Sequence, residues 1–404
     1  MKYHLFEVIG VELEYMIVQD HDLRIAPIAD QVFFRHSGSW DGEADRGLVS
    51  WSNELVAHVI ELKTTNPVEG LAGLSAEFHR SVSEINRMLA EENCALLPTA
   101  SHPFMDPLAE TQLWPHDSHE IYNLYDRVFD CRGHGWGNVQ STHINLPFCG
   151  DEEFARLHAA IRLILPVLPG LCASSPILEG GITGFLDTRM HYYQYNQAAI
   201  PHITGKVIPE RIYDEDQYQK RIFDPINASL RPYDTDGILD HHFVNSRGAI
   251  ARFDRGSIEI RVMDIQESPM ADLGIVGFLL TVIKALVLEG DFSRQSLVHE
   301  DDLFAIFQDC IKDGEHALVV DQNYLEIFGM GHRTGLSVRD FWSVIYEKYR
   351  DRLGTEEQVV IEHILHHGSL ATRILRKMGD DYSRNRIVEV YQSLRTSLAT
   401  NQMF

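Results

Sequence analysis

Val8-Ile9-Gly10-Val11-Glu12-Leu13-Glu14-Tyr15-Met16-Ile17-Val18 has the apolar, β-branched character of a strand, and across Val11 to Tyr15 apolar and acidic side chains alternate with period two. Glu12 and Glu14 share one face there, and Val11, Leu13, Tyr15 and Ile17 share the other. Three further runs repeat the form. Gly256-Ser257-Ile258-Glu259-Ile260-Arg261-Val262-Met263-Asp264 puts Glu259 and Arg261 on the face away from Ile258, Ile260 and Val262. Ser141-Thr142-His143-Ile144-Asn145-Leu146-Pro147-Phe148 separates Ser141, His143 and Asn145 from Thr142, Ile144 and Leu146. Leu55-Val56-Ala57-His58-Val59-Ile60-Glu61-Leu62 closes on Glu61. Together they predict a sheet with an apolar back packed on helices and a polar front rich in oxygen ligands.

Spacings of three and four predict helices over 67–93 (Leu71, Leu74, Phe78, Val82, Ile85, Leu89) and 152–166 (Phe154, Leu157, Ile161, Leu165). Gly274 to Leu288 reads as a buried helix capped near Asp272; it contains Lys284 and is too short to span a bilayer comfortably. Helical periodicity continues near 301–313, 338–351, 355–379 and 382–400, while 171–265 mixes loops with short strands. Strands come first, a helical C-terminal third follows, and no regular βαβ alternation appears. That order predicts an α+β fold with a largely antiparallel sheet. With no repeat and no linker, residues 1–404 read as one domain, sheet-rich over about 1–270 and helical over about 271–404.

The paired acids carry the chemistry. Two like charges about 4 Å apart at an effective dielectric near 20 repel by roughly 4 kcal/mol. Cations must neutralise such a pair, or one group must stay protonated; a solvated acidic edge strand is the plainer alternative. Hard divalent cations such as Mg²⁺ take carboxylate oxygens and are often shared with substrate phosphates, so the pattern points to a metal–nucleotide site on a sheet.

With 59 acidic and 35 basic side chains the formal charge is −24, which argues against a nucleic-acid partner. An anionic substrate then needs a local patch of arginines plus metal. The five cysteines, Cys94, Cys131, Cys149, Cys172 and Cys310, form no CxxC pair and suit a reducing cytoplasm. Met1-Lys2-Tyr3-His4 opens into strand-like sequence without an evident signal peptide, and no membrane partner is expected. There is no GxxxxGK[ST] loop, no GxGxxG after a strand, no HExxH and no GxSxG. Gly180-Gly181-Ile182-Thr183-Gly184 reads as a loop rather than a phosphate cradle, and Gly329 to Gly335 as another loop. His363, His366 and His367 read as surface or helix-end residues, and His241-His242 fits either a structural or a binding role.

Taken in order, the segments resemble the glutamate–cysteine ligase and carboxylate–amine ligase family, over most of the chain. The marks are Gly10-Val11-Glu12-Leu13-Glu14-Tyr15, Glu54 to Glu61 followed by Thr64-Thr65-Asn66-Pro67, and Ser141-Thr142-His143-Ile144-Asn145-Leu146. They continue with Ala173-Ser174-Ser175-Pro176, Gly184-Phe185-Leu186-Asp187-Thr188-Arg189, Ser257-Ile258-Glu259-Ile260-Arg261-Val262 and His367-Gly368-Ser369-Leu370-Ala371-Thr372-Arg373. The resemblance implies a glutamine-synthetase-like fold, ATP as co-substrate and two or three Mg²⁺ ions. By the same resemblance Glu12, Glu14, Glu54, Glu61, His143 and Glu259 are metal ligands, with Glu61 also in a catalytic role. Arg261 lies near the transferred phosphoryl group, Arg189 holds a substrate carboxylate, Asn145 is a substrate contact, and Arg252 and Arg255 are candidate nucleotide or substrate contacts. For each arginine a surface ion pair is the alternative. Glu54 precedes Glu61 by an odd offset, so on one straight strand the two would face opposite ways; the strand bends, starts later, or leaves Glu54 on the surface.

The chemistry so implied is attack of the γ-carboxylate of glutamate on ATP to give an acyl phosphate, which an amine, cysteine first among them, converts to an amide. Glu12-Leu13-Glu14, where relatives often carry another acid between, and His134-Gly135-Trp136-Gly137 set the chain in a subgroup apart from the best-known enzymes. Another acid–amine pair, phosphoryl transfer to a guanidinium, hydrolysis with the same metals, or a non-catalytic metal-binding relative are the competing readings. A homo-oligomer is compatible with the sequence.

Overall fold

A computed structural model describes residues 2–239 and 241–404. Its strands are β1 (Gly10–Gln19), β2 (Glu43–Ala44), β3 (Val49–Asn53), β4 (Val59–Thr64), β5 (Cys94–Leu97), β6 (Ser141–Pro147), β7 (Ile177–Leu178), β8 (Gly181–Ile182), β9 (Ala249–Arg252) and β10 (Ser257–Asp264). The main sheet runs β2-β3-β4-β1-β6-β10-β9, with β5 pairing the far end of β1. Every pairing in it is antiparallel. β7 and β8 form a separate hairpin, and Leu318–Val319 pairs with Leu336–Ser337 in a short ribbon. Within the run 180–184, expected to be a loop, Gly181 and Ile182 instead form β8 of that hairpin, and Thr183 and Gly184 lead out of it.

β1 lies at the centre because its odd positions are apolar throughout. Val11, Leu13, Tyr15 and Ile17 are fully buried, in one core with Phe78, Val82 and Ile85 of helix Leu74–Leu89, Phe154, Leu157 and Ile161 of helix Gly150–Ile164, and Ile275, Val276 and Leu279 of helix Pro269–Glu289. The front is polar over only half its length. Beyond Glu12 and Glu14 the same face carries Met16 and Val18, which pack with Ile374, Ile387, Tyr391 and Leu394 of the C-terminal helices Leu370–Met378 and Arg384–Thr400. Those helices therefore cover one end of the front and leave the acidic end open.

Several boundaries differ from the sequence reading. The first long helix starts at Leu74, not near 67, because Gly73 before it takes a left-handed conformation (φ 76°). The apolar helix is capped by the Ser268 side chain, which accepts from the Ala271 amide; Asp272 sits inside the first turn and accepts from Thr142 and the Gln266 amide. At 21 residues that helix is long and apolar enough to cross a membrane by length and composition, yet 78% of its most apolar window is buried inside the protein. The segment 355–379 is two helices, Thr355–His367 and Leu370–Met378. Gly368 breaks it at φ 91°, with space for no Cβ beside Glu315. Finally, the run 55–62 is not one strand. β4 begins at Val59 and β3 ends at Asn53, so Glu54 occupies the connection between them.

Candidate active site

Strand register brings the sequence-distant acids together. Glu14 lies directly opposite Glu61 on β4, and Glu12 opposite both Lys63 on β4 and His143 on β6. Glu259 on β10 lies opposite Asn145. Across β4, β1, β6 and β10 the front face thus carries Glu61, Glu12 with Glu14, His143 with Asn145, and Glu259 in a row.

Hydrogen bonds order this row. Ser141 donates from its hydroxyl to Glu14 Oε2 (2.8 Å), as does its backbone amide (2.6 Å). With its one proton so used, Ser141 Oγ accepts from His143 Nε2 (2.9 Å). His143 Nδ1 then faces Glu12 Oε2 at 3.0 Å across a single shared proton. Asn145 donates to Glu12 Oε1 (3.0 Å), and Ser52 on β3 donates to Glu61 Oε1 (2.6 Å). Arg261 Nη1 stands 3.4 Å from Glu259 Oε1, Arg252 Nη1 3.8 Å from Glu259 Oε2, and Lys63 Nζ 3.7 Å from Glu61 Oε1.

The electrostatics are those of a cluster short of cations. Burial, then Glu259, pushes the Glu12 carboxyl up to about 7. Burial, then Glu12, does the same to Glu61. Glu14 is raised by burial, with His143 opposing, and Glu54 well above its usual range by burial, then Glu14 and Glu61. Glu259 goes the other way: burial works against its charge, but Arg261, His143 and Arg252 outweigh it. His143 is lowered by burial.

Ligand atoms of Glu12, His143 and Glu259 all lie within 4.8 Å of one another, and those of Glu14, Glu61 and His143 do likewise. A donor set dominated by buried carboxylate oxygens that repel one another fits a hard divalent cation such as Mg²⁺. Glu54 belongs to neither group. It lines the adjoining cavity instead, half-buried, its nearest donor its own neighbour Leu55 at 3.4 Å.

That cavity, about 120 Å³, is bounded by Glu14, Ser141, His143 and Arg261 on the sheet side. Arg189, Tyr193, Asn196 and Ser246 form another part of its wall, and Leu55, Val56, Val59, Trp136 and Val139 an apolar part. Arg189 is only 2% exposed, so the surface ion pair is excluded. Its Nε bonds Asp264 Oδ1 (2.5 Å), and Asp264 Oδ2 accepts from the Ser174 amide (2.8 Å) and Ser175 Oγ (3.0 Å). The two terminal nitrogens make only long contacts, 3.4 and 3.5 Å, to the Arg261 carbonyl, which leaves the guanidinium fork for the cavity. Behind it Asp187 caps helix Thr188–Tyr193; burial and then Asp264 raise its carboxyl well above the usual range. A carboxyl and a carboxylate thus buttress Arg189 together.

Arg252 is mostly buried beside Glu259, and its Nε stands 3.5 Å from Asp254 Oδ1. Arg255 is 67% exposed, pairs with Asp254 and lies outside the cluster. His363, His366 and His367 contact one another at a helix end and join neither ligand group. His242 stands 3.9 Å from Asp254. Sequence reasoning passed over Lys63, Asp264 and the cavity wall around Trp136 and Tyr193. Lys63 was legible, two residues beyond Glu61 on the same face. Asp264 was not, because a bulge between Ile260 and Met263 resets the strand's alternation and places it opposite Ser141.

Several known proteins are similar to this chain. A protein of uncharacterized function from Archaeoglobus fulgidus is 31% identical over 98% of this chain and 100% of its own. A Cupriavidus metallidurans protein with the provisional name glutamate–cysteine ligase 2 is 25% identical over 74% of each chain. The crystal structure of a glutamate–cysteine ligase from Francisella tularensis, in complex with AMP, superposes with a TM-score of 0.66 over 99% of this chain and 90% of that one. At 11% identity this shows a shared fold, the glutamine-synthetase-like α+β architecture. The model of glutamate–cysteine ligase family 2 matches residues 8–325, and the chain belongs to that family.

Proposed function

We propose that the protein is an ATP- and Mg²⁺-dependent ligase that joins the γ-carboxylate of glutamate to an amine through an acyl phosphate. The observation that carries this reading is the row of Glu61, Glu14, Glu12, His143 and Glu259 on neighbouring strands, beside a cavity that holds a buried, unsaturated arginine fork. Family and fold support a carboxylate–amine ligase. ATP use is supported by the AMP complex of the Francisella protein. Residues 1–404 are taken as one catalytic unit, working on small molecules in the cytoplasm.

Glu12, His143 and Glu259 would hold one ion, and Glu14, Glu61 and His143 another. Bound there, Mg²⁺ supplies charge neutralisation for the phosphates of ATP. The chain's own groups do the rest. The Arg189 fork, fixed by Asp264, receives the α-carboxylate of glutamate in bidentate fashion and turns the γ-carboxylate toward the sheet. Arg261, raised in basicity by Tyr193 and Glu259 against burial, remains cationic and stabilises charge on the transferring phosphoryl group. Arg252 and Asn145 flank Glu259 and Glu12 and hold them in line. A carboxylate oxygen forms the bond to the γ-phosphorus as the bond to ADP breaks; the amine nitrogen then bonds to the acyl carbon as phosphate leaves. The apolar wall keeps water from the acyl phosphate.

The test is ADP release with ATP, Mg²⁺ and L-glutamate against a panel of amines, with cysteine included because provisional names of relatives specify it. ADP formation that needs both acid and amine is the expected result. Release with a guanidino compound and no carboxylate would mean phosphoryl transfer to that acceptor instead.

A further inference from the structure

A second cavity, of about 370 Å³, shares no lining residue with the catalytic one. Its size falls in the range of about 300–1,000 Å³ typical of small-molecule sites. It is bounded by Phe104, Met105 and Asp106, by Glu179 and Gly180 at the turn between β7 and β8, and by Arg384 at the start of helix Arg384–Thr400. Three segments far apart in sequence thus set one cation and two anions around a single space.

Those charges do not neutralise one another. Arg384 lies over the Phe104 ring, its Cζ 4.1 Å from the centroid, and has no carboxylate within 4.0 Å among the described residues. An exposed arginine beside two acids ordinarily closes onto one of them as a bidentate pair. Here each group is held by its own element. Asp106 Oδ1 accepts from the Leu108 amide (3.0 Å), and its Oδ2 has no partner among the described residues. Glu179 takes φ 51° in a turn that the Gly180 amide ties to the Pro103 carbonyl (2.8 Å), and its Oε1 stands 3.4 Å from His134 Nε2. A molecule with one ammonium and one carboxylate supplies both missing partners at once. A simple anion would meet two carboxylates, and a simple cation the guanidinium.

We propose that this cavity is a second, regulatory site for a zwitterion of amino-acid or dipeptide size, its carboxylate on Arg384, its ammonium between Asp106 and Glu179, and its apolar body against Phe104. The site reaches the catalytic cavity through His134. Asn138 Nδ2 donates to His134 Nδ1 (3.2 Å), which places the ring proton on Nε2, toward Glu179. The short helix His134–Gly137 that begins there carries Trp136 into the catalytic wall, and it packs so closely that a Cβ at Gly135 would fall 2.8 Å from Asn196 Cβ. An ammonium that draws Glu179 from His134 therefore acts on that wall. Binding is independent of the ligase reading; only its effect on glutamate rests on it.

The experiment titrates the full chain calorimetrically with leucine and with Gly-Leu, each beside its N-acetyl and its C-terminal amide form. One of the two free zwitterions should bind the tighter, which assigns the site to an amino acid or to a peptide. Each blocked form, and each of the variants Arg384→Gln and Glu179→Gln, should bind about tenfold more weakly, the loss of one charge-assisted contact. Both variants change exposed side chains and should melt with wild type. Equal binding by free and blocked forms, full affinity in both variants, or no binding by either probe at millimolar concentration would overturn the proposal. In the ADP-release assay a saturating probe should shift KM for L-glutamate by about fivefold in wild type and leave Arg384→Gln unmoved. An unchanged KM with intact binding would overturn the coupling and keep the site. Absence of ADP release with any amine, beside the predicted order of binding, would sink the ligase reading and keep the site as well.

Discussion

Glu61→Gln isolates the charge problem around which the site is built. Glu61 lies across from Glu14, and burial followed by repulsion from Glu12 moves its carboxyl from 4.5 to about 7. At about 1.4 kcal/mol per tenfold, ionising it above pH 7 without metal costs roughly 3 kcal/mol. The acids share protons, so about 1–3 kcal/mol of that is recoverable by removing one charge. Glutamine keeps the shape and a carbonyl oxygen to accept from Ser52, now 2.6 Å away. The lost contact is Lys63 at 3.7 Å, partly solvated and worth less than about 1 kcal/mol. With an unfolding entropy of about 2.1 cal/mol/K per residue, a chain of 404 residues gains roughly 1 °C per kcal/mol. Thermal melts at pH 8 without metal should therefore show the variant about 1–3 °C above wild type. The upward shift caused by Mg²⁺ should shrink, and ADP release should fall by about a hundredfold or more. A metal-free variant that melts well below wild type, or one with full turnover, refutes the reasoning.

Asp264→Asn should leave Arg189 in place but less firmly aimed, raising KM for glutamate about tenfold with a smaller change in kcat; equal loss in kcat alone would mean Asp264 only supports the fold. Metal-free stability should fall on both sides of about pH 6. The raised carboxyls of Glu12 and Glu61 contribute stability below 4.5 that is lost as pH rises through about 7, because the folded state holds their protons more tightly. Burial holds His58 near 4 and His102 and His158 near 3, so their contribution is present above 6.5 and lost as pH falls through those values. Saturating Mg²⁺ should restore the alkaline limb of the melting curve and not the acid one; a flat profile from pH 5 to 8 without metal would contradict the assignment. Gly368→Ala should destabilise the fold by about 1–3 kcal/mol in denaturant melts, since φ is 91° and the new Cβ would meet Glu315 Oε1 at 2.5 Å. An unchanged midpoint would show that the helix break tolerates a side chain.

Much of the site was legible because a strand's alternation survives in sequence: Glu12, Glu14, His143, Asn145, Glu259 and Arg261 sort onto one face by period two alone. What alternation cannot give is register, the one quantity that sets Glu14 against Glu61 and Glu259 against Asn145. The odd offset between Glu54 and Glu61 had a simple resolution, a strand that starts at Val59 and leaves Glu54 free to face the cavity from a connection. Arg189 shows the reverse difficulty: its sequence surroundings do not reveal that Asp264, brought round by a bulge, buries and orients it. The cover of the front face was also hidden: apolar Met16 and Val18 break the alternation, but only the two C-terminal helices packed on them show what buries that end.

The central claim is that these acids grip metal at the phosphates of a nucleotide. Crystals grown with Mn²⁺ and a non-hydrolysable ATP analogue test it through anomalous scattering. The account predicts peaks within about 2.0–2.4 Å of carboxylate oxygens of Glu12 and Glu259, and of Glu14 and Glu61, with the analogue's phosphates on the same ions. Peaks elsewhere, or an analogue bound with these acids facing only one another and Lys63, would contradict it.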